Sequence, residues 1–191
     1  MTRHSLGSCV VAIALVSLTA SPTRAQTPAP GAAPSAFPAT SFLTPVKATW
    51  ENVRSLVLGI AEIIPEDKYD FKPTASVRSF REILVHLIGE NYLFFGRVAG
   101  EAPPDNARFA ALKSRDEILK ELRASYDYGA KVWAGLTEEK AMEMVEGRNN
   151  QRVQRWSAIL AAIHDNMNHY GNLVVYVRLI GLVPPRSAGR N

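Results

Sequence analysis

One cysteine occurs in 191 residues, Cys9, and it lies inside an apolar segment near the N-terminus. Past that segment there is no thiol nucleophile, no sulfur ligand for a metal and no disulfide, so the rest of the chain suits an oxidising compartment without depending on it. Charge of one sign is also scarce. The formal balance is +4, and residues 1–25 hold Arg3 and Arg24 but no acid, so removing them halves it. So small an excess leaves no electrostatic footprint for nucleic acid. H-E-x-x-H, the E-x-x-H pair of di-iron bundles, G-x-S-x-G and a phosphate loop are all missing. There is no alternating run long enough for a sheet, and no internal repeat.

What is present begins with a targeting pattern. Thr2-Arg3-His4 forms a short basic region, Cys9 to Ala20 an apolar one, and Thr23-Arg24-Ala25 a cleavage site before Gln26. The apolar run is too short for a membrane span, so residues 1–25 read as a secretory signal peptide and the destination as secreted or periplasmic. Leu6-Gly7-Ser8-Cys9 resembles a lipoprotein box only superficially, because its cysteine precedes the apolar run instead of following it. Residues 26–40 are rich in proline and alanine and read as an extended, disordered linker. The folded domain is expected over 41–187, with a short tail at 188–191. At 47% hydrophobic and 21% charged residues, the chain can build a real core.

Four helical patterns fill that domain. The first runs from Ser41 to Ile64, with Ser41 as its cap and Val46, Trp50, Val53, Val57, Ile60 and Ile64 as its buried stripe. Pro65 ends it, and Tyr69 and Phe71 in the following polar connection are expected to fold back on the bundle. The second starts at the capping box Ser79/Glu82 and ends at Gly100; the third starts at Ser114/Glu117 and ends at Gly135. Between Leu136 and Arg155 the pattern is irregular, with a short helix near Glu138 and a turn at GRNNQRV. The last helix runs from Trp156 to Gly181, and its stripe is Ile159, Ile163, Met167, Tyr170, Val174 and Val177. The sum is all-α, an antiparallel four-helix bundle whose connections allow either neighbour order.

Helical phase separates the polar residues of the last helix. At about 100° per residue, His169 falls about 40° from Asp165, whereas His164 falls about 100° to the other side, in a more polar sector. Asp165 and His169 therefore point together into the bundle and His164 to its edge. A carboxylate and an imidazole one turn apart can share a metal ion, and His86 in the second helix supplies a third donor. Three nitrogen or oxygen donors leave a position for water or substrate. A set without sulfur suits Zn, Ni, Mn or Fe without choosing among them. The alternatives are a hydrogen-bonded core histidine at 86 and a buried Asp165/His169 ion pair.

At these residues the chain resembles the DinB-like superfamily of four-helix metalloproteins. Ser79 to Leu87 (SFREILVHL) and His169 to Arg178 (HYGNLVVYVR) carry the resemblance, followed by Gly181 and Pro184-Pro185; Ile64 to Pro73 matches more loosely. The likeness spans residues 42 to 187. It implies one divalent metal ion held by a histidine of the second helix and two histidines one turn apart on the last. His86 and His169 take two of those places, and the third falls on Asp165, with His164 one residue out of register. Either the aspartate substitutes as a ligand or the site is weakened; phase, reached independently, favours substitution.

The resemblance implies thiol-dependent transferases and isomerases among its members, a poor match for a chain exported away from cytosolic thiols. The expected function is an exported metal-dependent hydrolase or transferase of a small molecule, with Glu90 or Tyr170 as accessory groups if they reach the site. The alternatives are a non-catalytic bundle that binds a small ligand or pairs with a second copy, and a bundle whose metal site has decayed. None of these involves nucleic acid, or a membrane span after processing.

Overall fold

The computed structural model describes residues 40–189. The expected signal peptide, almost all of the linker and the last two residues of the tail lie outside the described residues. Within them the order is α1 (Leu43–Ile63), α2 (Phe80–Ala99), α3 (Ala107–Ala110), α4 (Arg115–Ala134), α5 (Glu138–Met142), β1 (Met144–Glu146), β2 (Arg152–Gln154) and α6 (Arg155–Leu179).

The helix signals act as their chemistry requires. At both Ser79 and Ser114 the hydroxyl accepts from the backbone N–H three residues on, and the glutamate there accepts from the cap's own N–H. Two orphan donors are satisfied at each start. Gly100 closes α2 at φ 77° and Gly181 follows α6 at φ 81°, the left-handed conformation that ends helices at little cost to glycine. Ser41 departs from its expected role: its hydroxyl accepts from Leu43 N at 3.2 Å, the capping position falls on Phe42, and α1 begins later than read.

Side-chain bonds settle the order and direction of the four long helices. Arg54 reaches Asp127 at 2.7 Å and Arg123 reaches Glu62 at 2.8 Å, so α1 and α4 run antiparallel. Asn166 bonds Asn91 midway, whereas Tyr176 bonds the carbonyl of Arg78, which sets α6 antiparallel to α2. Arg81, in the first turn of α2, donates to Lys113 O just before α4, and Tyr92 bonds Glu121 at 3.1 Å; these two helices run parallel. The chain therefore returns along the bundle between Gly100 and Ser114. That crossover contains α3, for which the sequence pattern predicted no element, and Phe109 of α3 stacks on Tyr92 with ring centroids 5.4 Å apart.

The core is centred on Trp50, edge-on to Phe95 at 5.5 Å and tilted on Trp133 at 6.2 Å. Gly129 lets the three helices meet there, since a Cβ at that position would lie 2.9 Å from Trp50 Cζ2. Tyr69 is fully buried, as its connection led us to expect. Two further details depart from the sequence reading. The GRNNQRV turn is the tip of a hairpin, with β1 and β2 antiparallel and Val145 opposite Val153. Asn149 and Asn150 take φ of 56° and 60°, which asparagine tolerates better than most residues. Met167, expected in the buried stripe of α6, is 37% exposed and joins Leu160, Val175 and Leu179 on the outward face.

Candidate metal centre

The antiparallel pair α2/α6 brings the three expected residues together. His86 sits in the middle of α2, where the apolar residues either side commit the helix to the core. Asp165 and His169 sit one turn apart on α6. Potential ligand atoms of all three lie within 4.8 Å of one another. The two imidazoles meet edge-on, ring centroids 4.8 Å apart and planes at 79°. His169 Nε2 is 3.7 Å from Asp165 Oδ1, too far for a hydrogen bond.

Satisfaction of polar atoms tests whether a cation fits. Asp165 Oδ2 and His169 Nδ1 are buried without a hydrogen-bond partner. An unmet buried donor or acceptor costs about 1–3 kcal/mol, and more when charged. A cation among the three donors would remove much of that cost, so the donor set fits a metal. Burial also holds both imidazoles below their ordinary pKa. For His86 the positive charge of Arg78 adds to it against Asp165. For His169 the Asp165 carboxylate opposes, while His86 and Arg78 reinforce. The neutral imidazole that results at neutral pH is the ligand form.

The other expected residues divide. His164 is exposed on the outer face of α6, with Asn168 Nδ2 3.5 Å from its Nε2, and does not approach the centre. Tyr170 faces α1, in a crevice with Asn52, Ser55 and Leu56. Glu90, one turn beyond His86, lines both cavities that flank the centre. The larger is a groove of about 620 Å³ that includes Arg78, Val85, His86, Asn106 and Phe109. The smaller, about 330 Å³, adds Asp165, Phe94 and Arg97.

Sequence reading missed a buried polar cluster beside the centre. Asn166, adjacent to Asp165, accepts from the Tyr126 hydroxyl at 2.5 Å and donates to Asn91 Oδ1 at 3.0 Å and to Ala162 O at 2.9 Å. Asn91 in turn donates to Ser125 Oγ at 3.0 Å, and Ser125 to Leu122 O at 2.7 Å. Four side chains from α2, α4 and α6 thus bond one another out of water. The available signal was asparagine at core phase in apolar helices, where only a partner makes burial tolerable.

Comparison with known proteins agrees with this architecture. Crystal structures that share it include those of two DinB-like proteins. A DinB-like protein from Bacillus subtilis, at 22% identity, matches with a TM-score of 0.59 over 72% of this chain and 92% of its own. A DinB-like protein from Bacillus cereus, at 10% identity, matches with a TM-score of 0.66 over 73% of this chain and 93% of its own. Among curated proteins there is no match. The DinB superfamily model matches residues 49–173, most of the helical domain. The chain therefore belongs to the DinB superfamily.

Proposed function

We propose that the protein is an exported metal-dependent hydrolase or transferase of a small molecule, with one divalent ion held by His86, Asp165 and His169. The observation that carries this is the convergence of three donors in which a carboxylate oxygen and an imidazole nitrogen are buried with no other partner. Held there, such an ion supplies Lewis-acid activation of water or of a substrate oxygen. The chain's own groups do the rest. His86 and His169 stay neutral and keep their lone pairs available. Asp165 contributes the negative charge. Glu90 lines both cavities that flank the centre, and its carboxylate would accept the proton that a water there gives up when it attacks the substrate. Tyr170, turned toward α1, takes no part.

A second reading draws on the outward face of α6, where Leu160, Met167, Val175 and Leu179 are each at least 37% exposed. Such a stripe suits pairing with a second copy.

The test is elemental analysis of protein recovered from the exported fraction, with its N-terminus read in the same preparation. One divalent ion per chain and a start at Gln26 are expected, and His86→Ala should remove the ion while leaving helical content intact. Protein with no metal and no uptake on titration ends the catalytic reading. Sedimentation then decides whether the chain is instead a pairing module.

A further inference from the structure

The groove beside His86 has a charge pattern of its own. Three cations line it, and two are committed: Lys72 to Glu82 at 2.9 Å, and Arg81 to Asp70 at 2.7 Å. For Arg78 no carboxylate among the described residues lies within ion-pairing distance. Its backbone is anchored, because its carbonyl accepts from the Tyr176 hydroxyl at 2.9 Å and the next residue, Ser79, caps α2. Arg78 lines the groove from this fixed point, and its charge is felt at both His86 and His169.

The rest of the lining is of a different character. Two carboxylates also line the groove, Glu82, paired with Lys72, and Glu90, one turn beyond His86, while Val85, Phe109 and Leu112 give it an apolar surface. Asn106 is packed so close to α2 that a Cβ on Gly89 would lie 2.9 Å from its Oδ1. From the start of α2 to His86 the helix rises on the order of 10 Å, about the length of one ring with a short linkage at each end.

We propose that this groove binds a small molecule bearing a carboxylate or phosphate, held by the fork of Arg78, with its apolar body over Val85, Phe109 and Leu112 and its far end at His86. The proposal rests on the metal-dependent reading of the centre, and it narrows the substrate to an anion. A planar guanidinium matches either oxyanion through two parallel hydrogen bonds, whereas a lysine offers only a point charge.

The experiment titrates benzoate, phenyl phosphate and the neutral analogue benzamide into purified protein, metal-free and zinc-loaded, by calorimetry. At least one anion should bind metal-free protein about tenfold more tightly than benzamide. Arg78→Ala should erase that preference, and Arg78→Lys should keep part of it. Whichever anion binds better separates carboxylate from phosphate. If neither anion binds at millimolar concentration, or benzamide matches both, the proposal is wrong. It is equally wrong if Arg78→Ala retains the preference. Because the comparison is made without metal, the two readings fail separately. Anion preference in a chain that takes up no zinc sinks only the metal reading; zinc uptake without an Arg78-dependent preference sinks only this one.

Discussion

Asp165 sets the charge of the centre. With both imidazoles neutral, it is the one full negative charge among the three donors. Asp165→Asn keeps the shape and removes that charge. Loss of a supporting group around a metal typically costs 10–100-fold, so loss of this ligand should lower affinity by at least about 100-fold in competition with a chelating dye. Asp165→His should retain binding, because imidazole is a ligand of comparable reach. His164→Ala should change nothing, since that ring lies on the exposed face. The phase of residues 164, 165 and 169 was legible because it is arithmetic within one helix. Arg78 was not legible, because its meaning depends on which neighbouring cations already have partners.

At the scale of elements, α2 and α6 work as one unit, and the cluster of Asn91, Ser125, Tyr126 and Asn166 fixes how one lies against the other. A polar cluster that is fully bonded specifies a single arrangement; a partly bonded one is worse than an apolar core. Asn166→Leu strands the Tyr126 hydroxyl and the Asn91 amide, and should cost about 1–3 kcal/mol for each group left unpaired, measured by urea unfolding. Adding Asn91→Leu and Tyr126→Phe should recover most of that stability. Metal affinity should stay below that of the original chain in the recovered variant, because the Asn91–Asn166 bond that ties α2 to α6 beside the centre is gone, leaving the more distant Tyr176 bond to Arg78 O. Recovery of both would show that the cluster has no positioning role. The long helices were legible from their caps and apolar stripes, which are local. The hairpin was not, because three-residue strands are too short to show alternation, and α3 is a single turn held by Phe109 stacking on Tyr92.

For the whole molecule, neighbour order lay beyond the sequence because each helix offers apolar side chains to two others, and only the packed pairs choose between arrangements. The same packing fixes a response to alkali. Burial pushes Tyr69 and Tyr92 up to about 12. It raises Tyr126, Tyr128 and Tyr176 as well. An unfolded tyrosine loses its proton near 10, so above that pH the unfolded state binds fewer protons than the folded one, and stability falls as pH rises. Below about 10 the contribution is complete. Absorbance at 295 nm should therefore show most tyrosines ionising late, in one step with loss of helical signal, and independent titration near 10 would contradict this.

The spacing of the three donors has a mechanical consequence too. His86 is near the middle of the chain and Asp165 near its end, with roughly eighty residues between them, so an ion gripping both is a reversible cross-link across a long loop. Saturating zinc should raise Tm by several degrees, and a chelator should cancel the gain. The protein would then be sturdiest where divalent cations are plentiful and would slacken wherever they are stripped away.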